Sequence, residues 1–220
     1  MRRGNDSVSS VRYTKKMNGA GKVLVALLSI AVARDAAIAA DKPVFKAKPV
    51  ADYESKVAFD GIAIAAEPFD QPEETKLAFG PKLFPPQYGV LPILVVIENK
   101  RETPINAKNI RVTYRAPGER EIEASSAMDI RYASGPTKPK MAQAPLPVPV
   151  PMKGKKNPLA APEFEERAFS ANIIAPGDSA SGFVYFLTEY HGQVTITVSG
   201  LRDAGRNQEI FFYEIPITHR

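Results

Sequence analysis

The stretch VTITVS, residues 194–199, alternates apolar and hydroxyl side chains with a period of two, and that period constrains this chain more than any other feature. Successive side chains of a strand point to opposite faces, so Val194, Ile196 and Val198 share one face while Thr195, Thr197 and Ser199 share the other. A helix scatters such residues around its axis, whereas a half-buried antiparallel strand sorts them. The pattern recurs in NIRVTYR (109–115), which predicts Ile110, Val112 and Tyr114 inward and Arg111, Thr113 and Arg115 outward. LPILVVIEN (91–99) is a continuous apolar run, as expected of a central strand covered on both faces. ASGFVYFLT (180–188) and EIFFYEIPI (209–217) complete the strong set; weaker strands are predicted over ANIIAPG (171–177) and around Arg120 to Ile122. Val57 and Phe59 are followed by Ile62 and Ile64 on the opposite parity, and the flip at Asp60-Gly61 reads as a β-bulge within one strand.

Two short helices interrupt this pattern. DQPEETKLAFG (70–80) has Asp70 as a cap, Pro72, Glu73 and Glu74 in the first turn and Gly80 as a stop, and PEFEERAF (162–169) fits one or two turns. About seven short strands separated by turn signals predict an all-β fold, an immunoglobulin-like antiparallel sandwich. Between Arg131 and Pro162 lie eight prolines, six basic residues and no acidic one, centred on PLPVPVPMKGKKNP (145–158). Too few strands follow this stretch to close a second sandwich, so it reads as a long loop, about 136–158, inside one domain spanning 55–220. Residues 41–54 read as an extended lead-in.

The first 40 residues read as a signal peptide. Lys15, Lys16 and Lys22 precede the 11-residue apolar run Val23 to Ala33, and Ala37-Ile38-Ala39 fits an A-x-A cleavage site, with cleavage after Ala39 or Ala40. The run is short of the roughly 20 residues of a membrane span. An uncleaved anchor is the alternative, and Met17 is an alternative start. Localisation is therefore read as periplasmic or extracellular, with no transmembrane span in the mature chain.

The formal charge of +5 belongs to that leader. Seven basic and two acidic residues fall in 1–40, which leaves 22 of each sign in the remainder. A domain of zero net charge lacks the electrostatic footprint of nucleic-acid binding. The chain has no cysteine, so it has no disulfide, no thiolate metal site and no cysteine nucleophile.

Catalytic patterns are weak. The only histidines are His191, in TEYHGQ, and His219, and no G-x-S-x-G frame surrounds a serine. Glu163, Glu165 and Glu166 sit on a short helix, and Glu119, Glu121 and Glu123 alternate along a strand; both trios read as solvated faces rather than paired acid–base carboxylates. Metal-ligand spacings are missing, and a thioether set of Met141, Met152 and His191 for Cu(I) is the weaker reading. No cofactor is predicted. The proline spacing at 145, 147, 149 and 151 favours a stiff polyproline II segment, a form that loses little entropy on binding. Pro147, Pro149, Pro151, Met152, Lys153, Lys155 and Lys156 are therefore the candidate partner-binding loop, suited to an envelope protein or an anionic glycan or lipid. The consecutive Phe211, Phe212 and Tyr213 raise the alternative of strand addition at a sheet edge, but burial on one face and loop cover on the other is the preferred reading.

The blocks FDGIAIAAEPFD, YGVLPILVVIENK, SGFVYFLT and GLRDAGRNQEIFFYEIPI, in this order, resemble an uncharacterised family of exported bacterial proteins, over about residues 55 to 217. The resemblance implies an immunoglobulin-like sandwich in the bacterial envelope and carries no catalytic or binding residue across. The sequence thus points to a non-catalytic exported interaction module. A structural subunit domain of an envelope assembly and a hydrolase with an unrecognised site are the alternatives.

Overall fold

The computed structural model describes residues 45–133 and 157–218. Its strands are β1 (Lys56–Phe59), β2 (Ile62–Pro68), β3 (Leu91–Asn99), β4 (Ile105–Asn106), β5 (Arg111–Arg115), β6 (Ile122–Glu123), β7 (Ile173–Ile174), β8 (Ser179–Phe186), β9 (Val194–Ser199), β10 (Arg202–Asp203) and β11 (Tyr213–Ile217). Two short α-helices, α1 (Pro72–Phe79) and α2 (Glu163–Arg167), and four single-turn 3-10 segments complete the regular structure of the described residues, so the fold is all-β. The first sheet runs β1-β2-β3-β8, the second β11-β9-β5-β6, and a small third sheet β10-β4-β7, with every strand pair antiparallel. β3 pairs with β8 and β5 with β9, so segments on both sides of residues 134–156 contribute to each large sheet.

Strands β2 and β3 of the first sheet are buried on both faces, whereas β1 at its edge is largely exposed. The inner face of the sheet, with Ile62 and Ile64 of β2 and Ile93, Val95 and Ile97 of β3, shares a cluster with Val112 and Tyr114 of β5, Val194, Ile196 and Val198 of β9, and Ile215 of β11. Its outer face presents Ala63, Ala65, Leu94, Val96, Phe183 and Tyr185 to a layer of helices and loops that contributes Phe69, Phe79, Leu159 and Phe164. The continuous apolar run of 91–99 follows from this double cover, and the alternation of 194–199 from the solvated outer face of the second sheet. Burying one aliphatic side chain contributes about 1.5–3 kcal/mol, against roughly 0.2–1 for a cross-strand pair. A one-residue slip would invert every face, so burial fixes the register.

Several expectations are corrected. Asp60 and Gly61 are not a bulge. Both have positive φ, 49° and 73°, and they form the two-residue turn of a hairpin in which Phe59 pairs with Ile62. Helix α1 is preceded by Gln71, whose side chain makes no capping bond; Asp70 stands one residue earlier and accepts from the Gln71 side-chain amide. The 171–177 strand shrinks to two residues and joins β4 in the small sheet. The predicted strand over 209–217 begins only at Tyr213. The stretch read as a lead-in contributes Phe45, Val50 and Tyr53 to the outer cluster. Among the described residues, no helix is long and apolar enough to cross a membrane.

Candidate functional site

At one end of the two large sheets, three segments meet: the β1–β2 turn, the chain after β3, and the chain from β10 to β11. Asn99, the last residue of β3, is fully buried and organises the second segment. Its amide nitrogen donates to the carbonyls of Thr103 and Ile174, both at 3.0 Å, and its side-chain oxygen accepts from the Arg101 N–H. Burial without such partners costs about 1–3 kcal/mol per polar group, so the loop must curl around this amide.

Asp203 does the same for the third segment. One carboxylate oxygen accepts from the backbone N–H groups of Gly205 and Arg206 at 3.0 and 2.9 Å; the other accepts from the Thr103 hydroxyl at 2.8 Å and from Arg101 at 3.4 Å. The Thr103 hydroxyl, then the Arg206 and Gly205 amides and the Arg101 charge, hold this carboxyl below the ordinary aspartate range against a smaller opposing effect of burial. The other arm of the Arg101 guanidinium grips Asp60. A Cβ on Gly61 would lie 2.9 Å from the Arg101 side chain, so the stem of Arg101 packs directly on the turn. With four donors on it, the Asp203 carboxylate is a structural clamp between loops.

The clamp holds an aromatic corner. The Tyr213 hydroxyl donates to the Phe59 carbonyl at 3.3 Å, which ties the start of β11 to the end of β1. Burial foremost, with the charge of Asp60 added and that of Arg101 opposing, pushes the Tyr213 hydroxyl up to about 12. Around this buried ring the neighbouring aromatics face solvent: Phe59 is 59 % exposed, Phe211 74 % and Phe212 61 %. This overturns the expectation that both faces of 211–213 are covered. The cause is local. Tyr213 pairs with Val198, and the Ile210 N–H bonds the Leu201 carbonyl, so Phe211 and Phe212 stand opposite Ser199 and Gly200, where pairing lapses. Gly200 has φ 77°, and a Cβ there would lie 2.1 Å from the Asn109 carbonyl oxygen. The strand turns away at this glycine, and both phenylalanines are released.

The residues singled out by sequence lie elsewhere. Pro147, Pro149, Pro151, Met152, Lys153, Lys155 and Lys156 fall outside the described residues, as do Met141, His219 and the leader. His191 occupies the turn between β8 and β9. Its backbone N–H donates to the Tyr114 hydroxyl, which itself donates to the Glu189 carbonyl, and its ring stands 3.9 Å from Glu119 with both side chains about half exposed. Glu119 lies in a turn and only Glu123 in a strand, so that trio shares no strand face, although all three residues are exposed. Glu165 pairs with Arg131, and Glu163 is half-buried beside it on α2. Among the described residues, no group of three or more histidine and carboxylate side chains is placed to hold a metal ion. Sequence reasoning missed Asn99, Arg101, Thr103 and Asp203. One signal was available: Asp-Ala-Gly at 203–205 is the composition of a turn in which an aspartate caps backbone N–H groups two and three residues on.

No protein-family model matches this chain, and no curated protein matches it.

Proposed function

We propose that the chain is a non-catalytic interaction module of the bacterial cell envelope, built on an immunoglobulin-like sandwich. The strand order supports the fold assignment. The immunoglobulin arrangement places strands A, B and E in one sheet and G, F, C and C′ in the other. Here β2, β3 and β8 take the places of A, B and E, and β11, β9, β5 and β6 those of G, F, C and C′. The D position departs from the pattern: β7 pairs with β4 in the third sheet rather than with β8.

The observation that carries the functional reading is the exposed aromatic corner. Phe59, Phe211 and Phe212 are exposed, the first beside a turn gripped by the Arg101–Asp203 clamp and the other two where the facing strand turns away at Gly200, and large exposed apolar side chains on a fixed surface are the usual anchors of a protein interface. The proline–lysine segment, Pro147 to Lys156, enters the proposal as a second contact surface on its sequence alone. Export to the envelope rests on the leader and on the family resemblance.

The test is a crosslinked pull-down from native envelope. It compares the intact chain, a Phe211→Ser/Phe212→Ser variant, and a version with 138–156 replaced by a short Gly/Ser linker. Phe211 and Phe212 are exposed, so the double variant should unfold at the same temperature as the parent. The proposal expects a partner on the intact chain that the aromatic variant loses. Identical captures by all three, or none by any, would overturn it, and loss confined to the linker version would move the contact to the proline–lysine segment.

A further inference from the structure

We propose that β1 is the contact edge of a symmetric dimer, two copies of this chain pairing β1 to β1 antiparallel across a two-fold axis at Ala58. This goes beyond the interaction module and uses the strand edge rather than the Phe211–Phe212 pair, with Phe59 alone shared between the two surfaces.

The backbone supplies the first requirement. Among the described residues, β1 has β2 on one side and no strand on the other. The Ser55 carbonyl accepts from the Ala66 N–H, and Phe59 pairs with Ile62 across the two-residue turn, so the odd-numbered residues direct their backbone groups to β2. The even-numbered residues, Lys56 and Ala58, direct theirs outward, and both are exposed. An edge of this kind is a template for another strand.

The side chains supply the second requirement, a reason for the partner to be a second copy. Pairing Ala58 with its own symmetry mate matches the outward backbone groups of both strands, opposes Val57 to Phe59 twice, and sets each Lys56 beside the other copy's Asp60, a turn residue of positive φ just past the end of the ladder. Opposite charges meet on one face. On the other, Phe59 covers Val57, the half-buried residue of β1 that already packs against the inner cluster. Two-fold axes require this self-complementarity. A shift by two residues keeps the backbone matched but sets Lys56 against Ala58 and dissolves the charge pairs. Present contacts leave room for these. Lys56 donates to the Ala51 and Tyr53 carbonyls, two of the three donors an ammonium carries, and the Asp60 side chain stays 58 % exposed beside Arg101. The β11 edge is less suited, because Pro216 lacks an N–H to offer.

The chain has no cysteine, which gives a direct test. Opposed residues in a hydrogen-bonded antiparallel pair have Cα atoms about 5.5 Å apart, within the span a disulfide bridges. Under mild oxidation the Ala58→Cys variant should form a covalent dimer, while a Glu123→Cys control at the edge of the second sheet stays monomeric. Sedimentation of the unmodified chain should show mass rising with concentration to twice the chain mass. Ala58→Pro, which removes an outward N–H without touching the β2 ladder, should abolish the rise at an unchanged unfolding temperature. A mass that stays monomeric with no preference for Ala58→Cys over Glu123→Cys would overturn the proposal, as would a dimer that persists in Ala58→Pro. If Ala58→Pro unfolds early, the cysteine comparison decides alone. A chain that dimerises here yet captures no envelope partner would refute the interaction module and leave this dimer standing.

Discussion

The two faces of the first sheet bury their apolar residues in different ways. The inner cluster is dominated by β-branched aliphatics, Ile62, Ile64, Ile93, Ile97, Ile196 and Ile215 among them, supplied by regular strands of two sheets. The outer cluster is aromatic. Phe69 and Phe79 each lie 4.9 Å, centre to centre, from Phe183, and Phe164 lies 5.2 Å from Tyr185. Two sheets stack at a near-constant separation of about 10 Å, which short branched side chains fill from both sides. A layer of short helices and loops leaves uneven gaps. Large rings span them, and their edge-to-face packing adds about 0.5–1.5 kcal/mol per pair beyond burial.

The sharpest way to break this comparison is Phe164→Ala. The ring touches Phe79 and Tyr185 and is the buried anchor of the five-residue helix α2. Loss of about 3–5 kcal/mol is expected in denaturant unfolding. A loss below 1 kcal/mol would mean that the outer layer adapts and is not a second core.

A medium effect is expected from Tyr185. Burial pushes its hydroxyl far above the ordinary tyrosine value, with the nearby Arg167 charge opposing, and that hydroxyl donates to the Phe164 carbonyl at 2.8 Å. A raised folded-state value means that the contribution is complete below the unfolded value of about 10 and is lost as pH climbs beyond it. The Tyr185→Phe variant should be about 1–3 kcal/mol less stable at neutral pH, from the carbonyl left without its donor. It should also lose less stability than the parent between pH 9 and pH 11, as read from urea midpoints at each pH. Equal alkaline losses in the two proteins would place the sensitivity on Tyr53, Tyr114 or Tyr213, whose values are also raised.

The smallest change belongs to the inner cluster. Ile196→Val removes one methylene between two regular sheets, and about 0.5–1.5 kcal/mol is expected from thermal unfolding. A cost near that of Phe164→Ala would erase the distinction between the two faces.

Legibility in the sequence follows the same division. Strands β5 and β9 announce themselves because period-two burial is written residue by residue, and β3 because cover on both faces leaves an unbroken apolar run. The hairpin at Asp60-Gly61 was also written there. A two-residue turn places Phe59 opposite Ile62 on one face, and this shifts the apolar parity from 57 and 59 to 62 and 64. The same shift imitates a bulge. The partners of the outer cluster left little periodic trace, because Phe45 and Phe69 come from irregular segments and Phe79 and Phe164 from helices of only one or two turns. The clamp of Asn99, Arg101, Thr103 and Asp203 was invisible for a related reason: about a hundred residues separate Thr103 from the carboxylate it serves.

The sequence by itself determined that this chain makes antiparallel strands, which faces of them are apolar, and that no cysteine holds them together. These are local properties, set by the alternation of side chains along an extended backbone. Only the tertiary structure decided that the first sheet is covered twice, that a buried aspartate locks three loops, and that Phe211 and Phe212 stand in water rather than in the core. Exposure is a property of what packs opposite a residue. At Phe211 and Phe212 the opposing strand turns away at Gly200, where the chain comes too close to Asn109 for any side chain to fit.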